Sequence, residues 1–211
     1  MGLNDIELKK TAILFFDLLN GYYHAADAAA KARMKPMVDN AACLMKAGRE
    51  AGIPIFFAKG NHRADNATSA LLQTDTDMGL RPWPNGMVKK GKMHVTGSDW
   101  SSEVIPELDP RPDDYYIPKY RWSAFYQTYL DLALRARGID TLIISGGSTD
   151  VGVASTVFAG RDMDYHMIVA SDACATSHDQ RAHDFLMGLI FPRMARVRST
   201  DQVIKMIKNS T

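Results

Sequence analysis

Three groups of residues directly follow apolar, strand-like runs and could perform chemistry together: Asp17, Lys119 and the turn 146–152. A carboxylate beside an ammonium group suits proton transfer, or the holding of a substrate carbonyl or carboxylate. An Asp after an apolar run is expected to be partly desolvated, which raises its pKa, and a nearby Lys opposes that shift. The turn carries Gly-Gly and leads towards a helix, whose first N–H groups suit an anion or an oxyanion. The alternative for the Asp–Lys pair is a buried salt bridge that fixes the sheet.

The elements that must position these groups alternate between strand and helix. Strands are predicted at 11–16, 53–58, 114–118, 142–144, 165–170 and 194–198, and helices at 27–52, 124–137, 150–163, 179–189 and from about 200 to 208. Ser123 is predicted to cap the second helix, and Ser199 with Gln202 to form a capping box for the last. This alternation predicts an α/β, Rossmann-like three-layer sandwich with a six-stranded, mainly parallel sheet and helices on both faces. Ligands of such sheets bind beyond the carboxyl ends of the strands, where all three groups stand.

The segment 59–112 shows no periodicity and contains several Gly and Pro residues. A loop of this length in a compact domain is usually functional. We expect ordered irregular structure with a few helical turns. Nothing resembling a linker divides the chain, so one domain is predicted over 1–211.

Composition excludes several classes of protein. Lys plus Arg number 25 and Asp plus Glu 24, which gives no electrostatic reason to expect nucleic acid or an anionic membrane as partner. No apolar run approaches the length of a membrane span. The two cysteines, Cys43 and Cys174, exclude a disulfide scaffold and favour a reducing cytoplasm. No nucleotide-binding glycine motif occurs, so no cofactor is predicted. The partner that the Asp17–Lys119 pair suits is a small-molecule substrate with a carbonyl or carboxylate group.

Four stretches resemble one family in order and spacing. They are AILFFDLLNGY at 12–22, YYIPKYRWSAF at 115–125, LRARGIDTLIISGGSTDVGVAST at 134–156 and SDACAT at 171–176. The chain resembles the isochorismatase-like hydrolases, a superfamily that also holds the cysteine amidases such as nicotinamidase and N-carbamoylsarcosine amidase. The resemblance implies catalytic roles for Asp17 and Lys119.

Gly152 departs from the amidase pattern. In the amidases a cysteine nucleophile holds this position, whereas the isochorismatases have glycine there. In that branch, the resemblance implies, Asp17 acts as general acid on a vinyl ether, Lys119 tunes it and orients substrate, and Gly152 leaves room beside the helix start. Neither Cys43 nor Cys174 replaces the nucleophile, and both are expected to be small buried residues. The residues just before Gly152 look more like the amidase branch, so the substrate need not be isochorismate.

Other residues near the strand ends are candidates for binding substrate. Arg63 could clamp a carboxylate, although a solvated loop arginine is the alternative. The remaining candidates, for each of which core or surface packing is the alternative, are Asn20, Tyr22, Trp122, Phe125, Gly147, Ser148 and Val151. The resemblance implies a cis peptide bond in the 147–148 region.

The resemblance also bears on metals, assembly and the alternatives to this activity. Nicotinamidase-like members bind metal through an Asp and His cluster after the second strand, of which only His62 and Asp65 remain, so no metal is predicted. A homo-oligomer, dimer or tetramer, is implied. The alternatives are an amidase or ureido-type C–N hydrolase with its cysteine position substituted, or a non-catalytic binding protein on the same fold.

Overall fold

The sheet contains six parallel strands. A computed structural model describes residues 2–65, 67–68, 95–176 and 179–210. Within them the strands are β1 (Thr11–Phe16), β2 (Ile55–Gly60), β3 (Tyr115–Lys119), β4 (Thr141–Gly147), β5 (His166–Ala175) and β6 (Ala195–Arg198). Their order is β3-β2-β1-β4-β5-β6 and every neighbouring pair is parallel. The predicted α/β class and six-stranded sheet are confirmed.

Helices cover both faces of this sheet. They are α1 (Ala28–Glu50), α2 (Leu130–Ala136), α3 (Ala154–Asp162), α4 (Gln180–Phe185) and α5 (Thr200–Lys208). One apolar cluster joins α1 and α5 to one face, and a second joins α2 and α3 to the other. The capping box at Ser199 and Gln202 is present as predicted. No helix among the described ranges is long and apolar enough to cross a membrane.

The residues of β1 alternate between the two apolar clusters. Ile13 and Phe15 lie in the cluster with α1, whereas Leu14 and Phe16 lie in the cluster with α2 and α3. All six strand residues are buried, because helices cover both faces, and this explains the uninterrupted apolar run. The alternation places Phe16, the last residue of β1, on the side of the turn that follows β4.

The second helix begins later than predicted. It starts at Leu130 rather than 124, because Gln127 has a positive φ of 53° and interrupts helical geometry. The hydroxyl of Thr128 donates to the carbonyl of Ala124 and accepts from the N–H of Leu130. Ser123 accepts a hydrogen bond from the N–H of Phe125 in a local turn and does not cap the helix. The predicted cap and the first half of this helix were wrong.

The helical pattern over 124–137 predicts a buried face of Phe125, Tyr129, Leu132 and Ala136, and this prediction was largely wrong. Leu130 and Leu134 are the buried residues of α2. Tyr129, Leu132 and Ala136, which the helical pattern placed in the core, are exposed. Moving the start of the helix changes which side chains face the sheet.

Strand β5 is longer than predicted and carries an irregularity. It continues to Ala175, and its register against β4 shifts between Ile144 and Gly146. The hydroxyl of Ser145 donates to the carbonyl of Ala173 at 2.8 Å, which holds the two strands together beyond the shift. The polar residues of this stretch hide the extension from a pattern of hydrophobicity.

The two cysteines have different surroundings. Cys174 lies at the end of β5 and is buried, as predicted, whereas Cys43 on α1 is exposed, contrary to the prediction. Burial raises the pKa of the Cys174 thiol to about 12. Cys43 occupies a solvent-facing position of the helix, which its apolar neighbours in sequence do not reveal.

The described part of the segment 59–112 is irregular, as expected. It continues β2 to Gly60 and contains 3-10 turns at Trp100–Ser102 and Pro106–Leu108. Leu19 forms an antiparallel bridge with Val104, which holds this segment beside the end of β1. Residues 66 and 69–94 lie outside the described part of the chain.

Two further helices contain π-helical turns that the sequence does not predict. The segment predicted to be helical from about 150 starts with a π turn at Thr149–Val153 and continues as α3. Helix α4 is followed by another at Leu186–Ile190.

Candidate active site

The candidate site lies at the carboxyl edge of the three strands β1, β2 and β3. Asp17 directly follows β1, Gly60 ends β2 and Lys119 ends β3. Strands β1 and β4 are neighbours, and the chain continues from them to opposite halves of the sheet, so the crevice between their ends is the topological switch point. The turn after β4 borders the same crevice.

Asp17 and Lys119 form a buried ion pair. Lys119 Nζ lies 2.6 Å from Asp17 Oδ2, and the two side chains are 8% and 12% exposed, respectively. The other carboxylate oxygen, Oδ1, accepts a hydrogen bond from the backbone N–H of Gly60 at 3.1 Å. The Asp17 N–H donates to the carbonyl of Ala58 at 2.9 Å, and Asp17 has a positive φ of 51°. This conformation turns the carboxylate back over the end of β2 towards Lys119.

Burial is the largest influence on the Asp17 carboxyl and raises its pKa. The positive charge of Lys119, its hydrogen bond and the N–H of Gly60 act in the opposite direction without cancelling the effect of burial. A carboxyl with a raised pKa holds a proton closer to neutral pH, which is the property of a general acid.

The ring of Phe16 connects this pair to the turn after β4. Lys119 Nζ lies 4.6 Å from the centroid of the ring, within the range of a cation–π contact. The same ring lies against Gly152, where a Cβ would be only 2.2 Å from Phe16 Cε1. The three groups singled out in the sequence therefore meet around Phe16, a residue that was not predicted to belong to the site.

The turn after β4 has the predicted small residues, together with internal hydrogen bonds that were not predicted. The peptide bond between Gly147 and Ser148 is cis, as the resemblance implies. The N–H groups of Val151 and Val153 both donate to the carbonyl of Ser148 at 3.2 Å. Asp150 Oδ1 accepts from the Ser148 hydroxyl at 2.5 Å. Two of the N–H groups expected to be available to an anion are therefore engaged within the turn.

Asn20 and Tyr22 lie on the segment that leaves Asp17. Asn20 is buried, and its Nδ2 donates to the carbonyl of Trp100 at 3.2 Å. Its Oδ1 is buried without a hydrogen-bond partner among the described residues. Burial raises the pKa of the Tyr22 phenol, and the charge of Asp17 adds to that shift. Tyr22 is thus within electrostatic reach of the carboxylate.

Trp122 and Phe125 have different environments. Trp122 is 67% exposed. Phe125 is buried and stacks on Tyr165 with ring centroids 5.4 Å apart. Tyr165 directly precedes β5 and so belongs to the amino end of the sheet, opposite the edge that carries Asp17. The structure does not bring Phe125 to the pair, and a substrate contact for Trp122 stays a prediction.

Arg63 and His62 follow β2. Arg63 is exposed and forms an ion pair with Asp65, at 2.7 Å from Nη2 to Oδ2. The neighbouring His62 has a buried Nδ1 without a hydrogen-bond partner in the described ranges. Burial lowers the pKa of His62, and the charge of Lys119 adds to this effect. His62, given little weight in the sequence, is thus electrostatically coupled to the site; its position just after a strand end was the available signal.

No group of three or more His, Cys, Asp or Glu side chains is arranged to hold a metal ion within the described ranges.

A search for similar proteins identifies relatives over almost the whole chain. The model of the isochorismatase domain matches residues 11–202. An uncharacterized isochorismatase family protein of Bacillus subtilis, YwoC, is 32% identical over 208 residues, which are 99% of this chain and 100% of that protein.

Two further similarities are to proteins named as an amidohydrolase and an amidase. Ureidoacrylate amidohydrolase RutB of Pantoea ananatis is 34% identical over 176 residues, covering 78% of this chain and 69% of that protein. The crystal structure of N-carbamoylsarcosine amidase from Thermoplasma acidophilum is 28% identical and covers 91% of this chain and 97% of its own, with a TM-score of 0.70. The chain belongs to the isochorismatase family and is a hydrolase of that family.

Proposed function

We propose that this hydrolase cleaves a small carboxylated substrate by water attack that Asp17 and Lys119 assist, without a cysteine nucleophile. Vinyl ether hydrolysis is the favoured reaction. The observation that carries the proposal is the buried Asp17–Lys119 pair at 2.6 Å, at the strand edge where such folds bind ligands. In the cysteine amidases that the chain resembles, the nucleophile stands at the position of Gly152.

The proposed reaction begins with a proton on Asp17. Asp17 donates it to the terminal carbon of the vinyl ether, and the substrate becomes an oxocarbenium ion. Lys119 then stabilises the carboxylate that forms and orients the substrate carboxylate. Water adds to the oxocarbenium carbon and returns a proton to Asp17. The resulting hemiketal breaks its C–O bond while its hydroxyl proton passes to the leaving oxygen, which releases a ketone and an alcohol. The raised pKa of Asp17 supports its role as the acid.

C–N hydrolysis is the second candidate, because RutB and N-carbamoylsarcosine amidase are both named for it. A covalent route of this kind needs a thiolate in the site. The chain has only two thiols: Cys174 is buried with a pKa raised to about 12, and Cys43 is exposed on α1. Neither suits the role of nucleophile, which favours the non-covalent reaction.

The test compares matched changes at a buried and an exposed Asp–Lys pair. Asp17→Asn should abolish turnover while the protein stays folded. Asp39→Asn is the control, because Asp39 pairs with Lys35 at 2.6 Å on the surface of α1. Wild type and both variants are assayed for release of a 2-oxo acid from vinyl ethers and of ammonia from amide and ureido compounds.

The outcomes separate the three functions. Release of a 2-oxo acid that Asp17→Asn abolishes and Asp39→Asn preserves supports the proposal. Release of ammonia through an intermediate bound covalently to the protein, detected by intact mass after acid quench, establishes the C–N route. Folded protein that hydrolyses no compound of either class favours a non-catalytic binding protein. Turnover that survives Asp17→Asn refutes the role of this carboxylate.

We also propose that the chain, as one domain over 1–211, assembles into a dimer or tetramer in the cytoplasm. The resemblance to the family supports assembly, and large apolar side chains are exposed on the described surface: Trp100, Trp122, Leu132, Phe158, Phe185 and Leu189. Light scattering should give a mass above that of one chain, and a monomeric mass would refute this.

A further inference from the structure

The ring of Phe16 fills the space that a side chain at position 152 would need. A Cβ built on Gly152 would lie 2.2 Å from Cε1 and 2.3 Å from Cζ of Phe16. The optimal separation of two carbon atoms that are not bonded is about 3.5–4.0 Å, so contacts at these distances are severe clashes. The ring and any side chain at 152 therefore exclude each other in this geometry.

The backbone of Phe16 is held firmly in place. Phe16 pairs with Gly146 in the β1–β4 register, and a Cβ on Gly146 would lie 2.1 Å from the carbonyl oxygen of Phe16. Gly146 has a φ of 124°, a conformation that favours glycine. The end of β1 thus packs against two glycines, Gly146 at its backbone and Gly152 at its ring. The side chain is only 1% exposed, so it has little room for another rotamer.

A second contact holds the ring in the site. Lys119 Nζ lies 4.6 Å from the ring centroid, while it also lies 2.6 Å from Asp17 Oδ2. Displacing the ring to admit a side chain at 152 would therefore disturb the Asp17–Lys119 pair as well. The ring of Phe16 thus fits the space that is left because position 152 is a glycine.

We propose that Phe16 is the specificity-determining residue that commits this site to a route without a side-chain nucleophile. This proposal rests on the proposed function. It adds that the reaction is set by Phe16 as well as by Gly152. A thiol at 152 needs a smaller residue at 16 before it is accommodated and accessible. The chemical class of the site thus depends on a pair of residues, one before the catalytic Asp and one in the turn.

The experiment is a double-mutant cycle of Phe16→Val, Gly152→Cys and both changes together, in a Cys43→Ser background that removes the exposed thiol. Urea unfolding measures the folding equilibrium constant of each protein. Gly152→Cys alone should lower it at least tenfold, because the new side chain overpacks the core. The combined protein should be at least tenfold more stable than the product of the two single effects predicts.

Alkylation supplies the second measurement. Iodoacetamide forms an S–C bond with the introduced thiol and releases iodide, and peptide mapping distinguishes this site from Cys174. In the native state the thiol of the combined variant should react at least tenfold faster than that of Gly152→Cys alone. Gly188→Cys is the matched control: a Cβ there would meet no neighbouring group within 4 Å, so this variant should stay stable and react readily.

Gly152→Ala keeps the cycle usable if Gly152→Cys does not fold. A single methyl group should already destabilise the protein, and Phe16→Val should rescue it. If Gly152→Cys alone is as stable as wild type and reacts as fast as the combined variant, Phe16 does not control this space and the proposal is overturned. Failure of Phe16→Val to rescue Gly152→Ala would overturn it as well. No substrate is used, so failure here is distinguishable from failure of the proposed hydrolysis.

Discussion

Lys119→Met tests how burial and charge act on Asp17. The pair is 2.6 Å apart and the two side chains are about nine-tenths buried. At an effective dielectric constant of about 20, the attraction at this distance is about 6 kcal/mol. Desolvation of the two ions costs several kcal/mol each and offsets most of that gain. Removing Lys119 leaves the carboxylate with its desolvation cost and without its attraction.

A carboxyl in this position can escape the cost by binding a proton. Its ordinary pKa, which applies to the unfolded chain, is 3.8. Keeping the proton in the folded state then costs about 1.36 kcal/mol for each pH unit above that value. This cost of protonation is the most stability that the variant can lose through Asp17. It is about 1.6 kcal/mol at pH 5 and about 5.7 kcal/mol at pH 8. Leaving the carboxylate charged but without its partner costs about 3–5 kcal/mol. Binding a proton is therefore the cheaper outcome at pH 5, whereas at pH 8 staying charged is cheaper.

Lys119→Met should therefore lose at most about 1.6 kcal/mol of stability at pH 5 and about 3–5 kcal/mol at pH 8. The sign follows from the raised pKa of Asp17. The folded state binds the Asp17 proton more tightly than the unfolded chain does. The stability that this proton contributes is therefore fully present below pH 3.8 and is lost as the pH rises through the pKa of the folded state.

Urea unfolding with linear extrapolation, at pH 5 to 8 in unit steps, measures these losses. In an Asp17→Asn background, which removes the titrating group, the loss of stability caused by Lys119→Met should no longer depend on pH. Lys35→Met is the control, because its pair with Asp39 is exposed and should change stability by less than about 1 kcal/mol at either pH.

Two results would refute this reasoning. Equal losses at pH 5 and pH 8 for Lys119→Met would mean that Asp17 stays ionised without the lysine, so burial does not control its pKa. If the loss caused by Lys119→Met still grows with pH in the Asp17→Asn background, the titration belongs to another group.

Three further perturbations address the rest of the fold. Burial lowers the pKa of His183 below 6.5. The stability that neutral His183 contributes is therefore present above pH 6.5 and is lost as the pH falls through the pKa of the folded state. His183→Gln should lower the melting temperature at pH 7.5 by losing the 2.9 Å hydrogen bond to Thr149. It should also reduce the fall in melting temperature below pH 6.5, which is the acid limb of the pH profile. Arg49→Met should cost about 3–5 kcal/mol in urea unfolding at pH 7, because Asp114 is 3% exposed and loses its cation. Ser199→Ala should cost about 0.5–2 kcal/mol by removing the capping box.

Each of these predictions has a contradicting result. An unchanged acid limb in His183→Gln would assign that titration elsewhere. A loss below about 1 kcal/mol in Arg49→Met would mean that water reaches Asp114. An unchanged stability in Ser199→Ala would mean that tertiary contacts alone hold the start of α5.

The positions of Asp17 and Lys119 follow from sequence for a physical reason. Strand β1 is buried on both faces and appears as an uninterrupted apolar run, so the polar residue after it marks the strand end. Lys119 likewise ends the shorter apolar run of β3, which lies at the edge of the sheet. Parallel strands share a carboxyl edge, which brings such residues together without any knowledge of side-chain geometry. The sheet and the Asp17–Lys119 contact were accessible on these grounds.

Other features depend on contacts between distant parts of the chain. The late start of α2 follows from the positive φ of Gln127. Glutamine is not a residue type from which a positive φ is predicted. The extension of β5 relies on the Ser145 hydroxyl bonding to Ala173. The contact of Phe16 with Gly152 joins the end of β1 to the turn after β4, and nothing in either stretch alone indicates it.

Energetics distinguish a structural salt bridge from a functional pair at Asp17. A buried Asp–Lys pair adds little net stability, because desolvation offsets the attraction, so stability alone is a weak reason to have one. Burial also raises the pKa of Asp17 against the opposing charge of Lys119, and the pair stands at the ligand-binding edge of the sheet. Replacing both residues with Asn and Met separates the two explanations. A protein that stays as stable as wild type but loses turnover assigns the pair to chemistry, whereas a large loss of stability at every pH assigns it to the fold.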